Sequence, residues 1–232
     1  MYISSIKENY ANKVNEAIII DGIIGAGKTT VGRLLSDHYK LPFFEEIKDE
    51  SQASLVQRML DRFYDNPKRW SFATQVMFLT QRFKDIKHIQ ANDLKGILDR
   101  SIYGDEIFSR TVLKRKQMTL DEFQVYQDLL KNMLQVTFRP KLLIYLDVSV
   151  DTAMDRIRKR NRSTEAQMIP RDYMEDLKEA YDKWFETYDL SPKLKIDFNH
   201  DCISEDNWHD CSQDELIALI DGHYKKTTLT SC

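Results

Sequence analysis

The fold of this chain is decided by the stretch Ile18-Ile-Ile-Asp21-Gly22-Ile-Ile-Gly25-Ala-Gly27-Lys28-Thr29. Its second part matches the pattern G-x-x-x-x-G-K-[ST], which here follows an apolar run suited to a buried strand and precedes a segment with helical character. Glycine is scarce, with seven in the whole chain, so a cluster of glycines marks a place where the backbone must approach something closely. In this context backbone N–H groups and the positive end of the following helix cradle phosphate oxygens. The stretch therefore predicts a phosphate-binding loop.

The motif assigns a chemical role to the positions of this loop. The Lys28 ammonium is expected to reach the β- and γ-phosphates of a nucleotide, and the Thr29 hydroxyl to ligate Mg²⁺. We therefore expect ATP and Mg²⁺ as cofactors, although the motif alone does not say which molecule receives the phosphate. The predicted nucleotide-binding residues of the loop are Gly22, Ile23, Ile24, Gly25, Ala26, Gly27, Lys28, Thr29 and Thr30.

Outward from the loop, apolar runs suited to buried strands alternate with helical segments. The predicted strands are 17–21, 42–45, 96–99, 141–147 and 193–197. The predicted helices are 29–39, 55–64, 70–90, 119 to about 138, 170–188 and one that opens at 212. Continuous apolar strands separated by helices indicate a parallel sheet covered on both faces. The sequence predicts an α/β three-layer fold with a five-stranded parallel sheet, in a single domain over 1–232 with flexible ends at 1–15 and 227–232.

Composition excludes several classes of protein. Hydrophobic residues make up 42% and charged residues 31%, which is typical of a soluble globular protein. The net charge of -3 argues against an overall basic nucleic-acid binder, and no apolar run approaches the length of about 18 residues that a membrane span needs. The N-terminal residues have no apolar core, so no secretory signal is expected. Three late cysteines favour a reducing compartment, and we expect a cytoplasmic protein without nucleic-acid or membrane partners.

Motifs on both sides of the third predicted strand carry a resemblance to a known family. They are Tyr64-Asp-Asn-Pro67-Lys-Arg-Trp70-Ser-Phe72-Ala-Thr-Gln75, Asp99-Arg100-Ser101 and Arg156-Ile-Arg158-Lys-Arg160-Asn-Arg162. Together with the phosphate-binding loop, these motifs resemble those of the deoxynucleoside kinase family, which includes deoxycytidine, deoxyguanosine and deoxyadenosine kinases. The resemblance extends from about residue 18 to about residue 188. The resemblance implies ATP-dependent phosphorylation of a deoxynucleoside 5′-hydroxyl, in a homodimer.

The resemblance also implies which residues act on the phosphoryl group. Glu46 resembles the carboxylate that accepts the 5′-hydroxyl proton, but Ile47 stands where the family usually has Pro, so Glu45 competes for this role. Asp99 resembles the acidic residue that holds Mg²⁺ through water, with the role of base as an alternative. Arg100 is expected to bind Glu46 and the donor phosphate. The predicted catalytic residues are Glu46, Asp99, Arg100 and Lys28, and the predicted metal ligands are Thr29 and Asp99.

Four residues are expected to recognise the base. Gln75 and Arg82 lie on one face of the predicted helix 70–90, on an otherwise apolar stripe where polar groups need hydrogen-bond partners. Without the resemblance, both side chains could simply face water. Gln75 resembles the family's base-reading glutamine, and Arg82 with Asp105 resembles the pair found in members that take purines or deoxycytidine. Phe108 resembles the aromatic residue that stacks on the base, with core packing as the alternative.

The sugar and the donor phosphate have their own predicted residues. Tyr64 resembles the residue that binds the sugar 3′-hydroxyl, and Glu165 resembles its partner in that contact. The basic run 156–162 resembles an arginine-rich lid, whose planar guanidinium groups neutralise charge on the transferred phosphoryl group. Its residues expected to bind ATP are Arg156, Arg160 and Arg162. A solvated basic face is the alternative, and a metal site built from His200, Cys202, His209 and Cys211 is not expected.

The residues and the resemblance together predict a deoxynucleoside 5′-kinase for a purine deoxynucleoside or deoxycytidine. One alternative is a thymidylate-kinase-like nucleoside monophosphate kinase, which would need a pocket for the acceptor's phosphate. Another is a P-loop regulatory switch or ATPase that acts by binding partners. The switch pattern Asp93-Leu-Lys-Gly96 precedes a strand where it should follow one, which disfavours that alternative.

Overall fold

The computed structural model describes residues 13–46, 50–159, 169–199 and 213–226. Its strands are β1 (Val14–Asp21), β2 (Phe43–Phe44), β3 (Ile97–Asp99), β4 (Arg139–Asp147) and β5 (Lys193–Asp197). Its helices are α1 (Lys28–Tyr39), α2 (Glu50–Asp65), α3 (Pro67–Ala91), a 3₁₀ turn (Ile102–Gly104), α4 (Glu106–Lys114), α5 (Leu120–Leu134), α6 (Val150–Lys159), α7 (Arg171–Thr187) and α8 (Gln213–Lys226). Within these described ranges, no helix combines the length and the apolar character that a membrane crossing requires.

The five strands form one parallel sheet in the order β2-β3-β1-β4-β5. This confirms the predicted α/β fold with a five-stranded parallel sheet. In such sheets ligands bind in the crevice outside the carboxyl ends of the strands. The loop that begins at Gly22 leaves the sheet at the carboxyl end of β1, which is the central strand. Glu46 follows β2 and Asp99 ends β3 at the same edge, so the topology gathers these groups at one place.

The strands are apolar because both faces of the sheet are covered by helices. In β1, Ile18, Ile19 and Ile20 are fully buried, and in β4 the run from Leu142 to Leu146 is fully buried as well. Residues that point to opposite faces of a strand can all be buried only when each face packs against another layer. The continuous apolar runs in the sequence are therefore the signature of the three-layer arrangement.

Strand β1 begins earlier than the sequence predicts. Val14 and Asn15 pair with Arg139 and Pro140 of β4, and the register shifts between Asn15 and Ile18. The predicted flexible end at 1–15 therefore extends too far, because the last of its residues are part of the sheet. Because Asn15 and Glu16 are polar, the apolar run begins only at Ala17, where the sequence pattern placed the start of the strand.

Two helical predictions also need correction. Helix α5 has the predicted capping box at Thr119 and Glu122, but it ends at Leu134 rather than near residue 138. The Thr137 hydroxyl donates to the Leu134 carbonyl at 2.8 Å, which closes a turn and lets the buried Phe138 lead into β4. The 3₁₀ turn and helices α4 and α6 were not predicted, although the Ser101 hydroxyl caps the 3₁₀ turn by accepting from the Tyr103 backbone N–H at 3.3 Å.

The contact between α1 and β2 yields a stability prediction. A Cβ placed on Gly32 would lie 2.3 Å from a ring carbon of Phe43, well inside van der Waals contact. We expect Gly32→Ala to lower the free energy of unfolding by about 1–3 kcal/mol, because the ring or the helix must shift. Thermal or urea unfolding would measure this, and Gly222→Ala is a matched control because its Cβ would meet nothing within 4 Å. Equal effects of the two substitutions would contradict the packing seen here.

Candidate active site

The phosphate-binding loop is fixed by its backbone conformation and by its contact with α6. Gly25 has φ +81, a left-handed conformation that favours glycine. A Cβ on Gly25 would lie 2.5 Å from the carbonyl oxygen of Ala153 in α6, so the loop can pack this closely only without a side chain. Ile23 and Ala26 are buried, whereas Ile24 and Thr30 are half-buried. The loop is therefore a rigid element held between β1 and α6.

Lys28 is buried at the start of α1, beside the loop carbonyls. Its Nζ donates to the carbonyl oxygens of Ile23 at 2.9 Å and Gly22 at 3.3 Å. Burial and the positive charge of Arg100 together lower the pKa of Lys28 to about 7, although the carboxylates of Asp99 and Glu46 oppose the shift. An added anion at this site would favour the charged ammonium, which suits the lysine to phosphate binding.

The loop opens onto a cavity with a volume of about 200 Å³. Both candidate glutamates lie at it, but their partners differ. Glu45 binds Arg33, with Arg33 Nη2 at 3.0 Å from Glu45 Oε1 in an exposed ion pair. Glu46 instead contacts two buried arginines: Arg82 Nη2 lies 2.6 Å from Oε1 and Arg100 Nε lies 3.4 Å from Oε2. The arrangement places Glu46 deeper among the groups of the site than Glu45.

The charge state of Glu46 follows from these neighbours. Burial opposes its ionisation, but the positive charges of Arg100, Arg82 and Lys28 outweigh that cost and lower the pKa of Glu46. Glu46 is therefore a carboxylate at neutral pH, as a proton acceptor must be. Its two oxygens each face a different guanidinium group.

Arg100 is held by a buried network that the sequence pattern did not reveal. Its backbone is left-handed, with φ +67, and its Nη1 donates to the Gly22 carbonyl at 2.9 Å and to the Tyr181 hydroxyl. Tyr181 in turn donates to Asp21 Oδ1 at 2.7 Å. Asp21 and Tyr181 thus position Arg100 against the loop. The only sequence signal was the acidic residue at the end of β1, because Tyr181 lies 160 residues further along the chain.

Asp99 faces the start of α1. The Thr29 hydroxyl donates to Asp99 Oδ2 at 2.6 Å, so the two predicted metal ligands are neighbours. The other oxygen, Oδ1, is buried and has no hydrogen-bond partner among the described residues. Burial raises the pKa of Asp99, while Lys28 and the hydrogen bond from Thr29 oppose the rise.

Three of the predicted base-reading residues, Gln75, Arg82 and Phe108, line the same cavity. Gln75 is buried in α3, and one face of the same helix presents Arg82, whose Nη1 forms an ion pair with Asp105 Oδ1. Tyr126 of α5 donates its hydroxyl hydrogen to Asp105 Oδ2. The side chain of Asp105 is 0% exposed and that of Arg82 is 9% exposed, so this pair is anchored in the protein interior. The stripe on α3 therefore faces the cavity and not solvent.

Aromatic rings flank the guanidinium group of Arg82. Its Cζ lies 5.4 Å from the ring centroid of Phe78 and 5.8 Å from that of Phe108. Phe108 also lies 4.8 Å from Arg100 Cζ, so this ring sits between two cations. Phe78 was not singled out by the sequence pattern, although its position one helical turn before Arg82 could have indicated it. Both rings line the cavity and offer flat apolar surfaces.

The remaining predicted residues divide into two groups. Tyr64 of α2 lines the cavity, and Arg156 of α6 donates to the carbonyls of Phe198 at 2.8 Å and Ala26 at 3.4 Å. Arg156 therefore lies against the loop, as a residue that binds a nucleotide phosphate must. The other predicted residues lie outside the described part of the chain; they are Arg160, Arg162, Glu165, His200, Cys202, His209 and Cys211.

A family model described as deoxynucleoside kinase matches residues 18–222. The chain belongs to the deoxynucleoside kinase family. The resemblance predicted from the sequence is confirmed, and the kinase is an enzyme that phosphorylates a hydroxyl group of a deoxynucleoside. Membership favours this activity over the thymidylate-kinase-like and regulatory-switch alternatives.

Individual relatives agree with this assignment. The kinase is 38% identical over 189 residues to a deoxyguanosine kinase of Lactobacillus johnsonii. The aligned region covers 78% of this chain and 81% of that protein. It is 33% identical over 215 residues to a deoxyadenosine kinase of Lactobacillus acidophilus, which covers 89% of this chain and 95% of that protein. A structure of deoxyadenosine kinase from M. mycoides with bound dATP has a TM-score of 0.71 and 29% identity, covering 89% of this chain and 99% of that one.

Proposed function

We propose that this kinase transfers the γ-phosphoryl group of ATP to the 5′-hydroxyl of a purine deoxynucleoside, with deoxycytidine as a weaker acceptor. The observation that carries this proposal is the buried Arg82–Asp105 pair, in which Arg82 lines the same cavity as Glu46 and contacts it. The guanidinium donors suit guanine O6 and N7 or adenine N7. Thymine presents its O4 acceptor beside the 5-methyl group, and this methyl group crowds the pair. The names of relatives that act on deoxyguanosine and deoxyadenosine point to the same preference.

In the proposed reaction, each group of the site has one task. Glu46 accepts the proton of the 5′-hydroxyl as its oxygen attacks the γ-phosphorus. Lys28 and Arg100 stabilise the negative charge of the transferred phosphoryl group, and Arg156 provides a further guanidinium group near the loop. Gln75 and Arg82 orient the base, Phe108 stacks on it, and Tyr64 holds the sugar. Glu165, Arg160 and Arg162 keep the roles that the family resemblance gives them, at the sugar and in the lid.

Asp99 at the end of β3 and Thr29 at the start of α1 fit a magnesium ion. Mg²⁺ prefers oxygen ligands, and both the Thr29 hydroxyl and the Asp99 carboxylate supply them. The buried Asp99 Oδ1, which has no hydrogen-bond partner among the described residues, is an oxygen suited to a cation or to its bound water. When bound, the ion neutralises phosphate charge. The homodimer and the cytoplasmic location remain predictions, based on the family resemblance and on the cysteine content.

A panel of acceptors tests the proposed function. ADP release is measured with ATP and Mg²⁺ and, separately, with deoxyadenosine, deoxyguanosine, deoxycytidine, thymidine or dTMP. We expect the largest kcat/KM for one of the two purine deoxynucleosides and none above background for dTMP. Turnover of dTMP would support the monophosphate-kinase alternative, and ADP release without any acceptor would support a regulatory ATPase. A preference for thymidine would overturn the base assignment.

The Arg82–Asp105 pair gives a specificity prediction of its own. Removal of either partner alone strands a buried charge at a cost of roughly 3–5 kcal/mol, so each single variant should lose stability and activity on all acceptors. The double variant Arg82→Met with Asp105→Ala removes both charges and opens apolar space. We expect it to gain thymidine phosphorylation while kcat/KM falls for deoxyadenosine and deoxyguanosine. A double variant that keeps the purine preference would show that the pair does not read the base.

A further inference from the structure

Arg82 contacts two carboxylates that belong to different parts of the site. Its Nη1 binds Asp105, which is buried in the protein interior, and its Nη2 lies 2.6 Å from Oε1 of Glu46, which lines the cavity. Arg100 contacts the other oxygen of Glu46, with Nε at 3.4 Å from Oε2. One guanidinium group therefore joins a buried anchor, Asp105, to Glu46, the carboxylate that we propose accepts the proton of the 5′-hydroxyl.

The two contacts of Arg82 differ in how firmly they are held. Asp105 is 0% exposed and also accepts a hydrogen bond from Tyr126, so its position is fixed from two sides. The Glu46 side chain is 28% exposed and lies at the cavity, so its contact with Arg82 is the one that a ligand can reach. Phe78 and Phe108 flank the guanidinium group at 5.4 and 5.8 Å, which leaves its edges for hydrogen bonds.

We propose that Arg82 couples recognition of the base to the availability of Glu46 as the proton acceptor. This inference rests on the proposed function. Without a base, Nη2 of Arg82 occupies Oε1 of Glu46. A base with an acceptor atom for Arg82 competes with Glu46 for this Nη2, and Oε1 is then released to the 5′-hydroxyl. Arg82 is thereby a positioning residue for the chemical step as well as a residue that reads the base.

The coupling concerns one proton transfer in a balanced step. As the 5′-oxygen forms its bond to the γ-phosphorus, its proton passes to Oε1 of Glu46, and the bond from the γ-phosphorus to the bridging oxygen of ADP breaks. Arg100 stays on Oε2 throughout and keeps the carboxylate oriented. If the base of an acceptor does not bind Arg82, Arg82 stays bound to Oε1 of Glu46. Such an acceptor therefore has a lower kcat as well as a higher KM.

The coupling can be tested by replacing the deoxynucleoside with two separate molecules, a sugar piece and a base piece. The sugar piece is 1,2-dideoxyribose, which has the 5′-hydroxyl but no base, and the base piece is 9-methyladenine or 9-methylguanine. Transfer of labelled γ-phosphate from ATP to the sugar is measured with and without the base piece. We expect the wild-type kinase to phosphorylate the sugar at least about fivefold faster when the base is present, the lower end of typical coupling between two sites. No stimulation, or inhibition, would overturn the proposal.

A variant separates release of Glu46 from simple base binding. In Arg82→Met with Asp105→Asn, Glu46 has lost its Arg82 contact and no buried charge is stranded. We expect this variant to phosphorylate the base-free sugar faster than the wild type and to show no stimulation by the base. If Arg82 only binds the base, the base-free rate will not rise, and the proposal fails. Arg33→Met is the matched control, because it removes the arginine partner of the neighbouring Glu45 and should keep the stimulation.

Two controls keep the outcomes distinct. Thermal unfolding shows whether the double variant is folded. If it is not, the stimulation of sugar phosphorylation by the base piece in the wild-type kinase decides whether the coupling exists. Whole deoxyadenosine and deoxyguanosine are assayed in parallel. If neither is phosphorylated, the proposed function fails, whereas turnover of the whole nucleoside without stimulation by the base piece defeats the coupling alone.

Discussion

Lys28→Ala is expected to abolish phosphoryl transfer on every acceptor. Lys28 is the buried ammonium at the phosphate-binding loop, and its Nζ lies within hydrogen-bond distance of the Gly22 and Ile23 carbonyls. A fixed ammonium at this place is needed for the β- and γ-phosphates, and alanine removes it. Steady-state kcat and KM for ATP, measured with the best deoxynucleoside, will show the loss.

The control for this variant is an exposed lysine on the same protein. Lys84 lies on the solvent side of α3, and Lys84→Ala should keep wild-type turnover. Thermal unfolding of both variants shows whether the loss in Lys28→Ala comes from chemistry or from folding. If a folded Lys28→Ala variant keeps nearly full activity, the phosphate-binding loop does not take part in phosphoryl transfer as proposed.

Glu46→Gln is expected to lower kcat by about 10²–10⁴, the range for a positioned general base, with a smaller effect on acceptor KM. Glutamine keeps the size of the side chain but cannot take the 5′-hydroxyl proton. The adjacent Glu45→Gln is an almost perfectly matched control, because Glu45 lies at the same cavity but pairs with the exposed Arg33. We expect Glu45→Gln to change kcat little.

The pair of glutamate variants also decides between the alternatives for the base. If Glu45→Gln lowers kcat more than Glu46→Gln does, then Glu45 is the proton acceptor, and the alignment to the family pattern is shifted by one residue next to Ile47. If neither variant loses activity, the proton acceptor is Asp99, and Asp99→Asn becomes the variant to test. The contacts of Glu46 with Arg82 and Arg100 are the structural reason for placing the base at Glu46.

The sequence could predict the sheet because its signals are local. The loop motif, the apolar run of β4 and the capping box at Thr119 each act within a few residues, and each lies where the pattern placed it. The start of β1 and the end of α5 escaped prediction because they depend on a shift in strand register and on one side-chain hydrogen bond. Such features are set by the neighbouring elements.

The candidate site shows the same division. The family pattern named Glu46, Arg82 and Asp105 from local motifs, but the contact of Arg82 with Glu46 joins residues 36 positions apart and leaves no mark in either motif. Tyr181 is a further case, since only the packing of α7 against the end of β1 brings its hydroxyl to Asp21. Residue types follow from sequence patterns, whereas their partners follow from the packing of distant elements.

Phosphorylation of purine deoxynucleosides at the 5′-hydroxyl can be tested in a single competition measurement. All four deoxynucleosides are mixed at equal concentration with labelled ATP and Mg²⁺, and the labelled products are separated and identified by mass spectrometry. We expect most of the label to appear in dAMP or dGMP as the 5′-monophosphate. Label found mainly in dTMP, or released as inorganic phosphate, would contradict it.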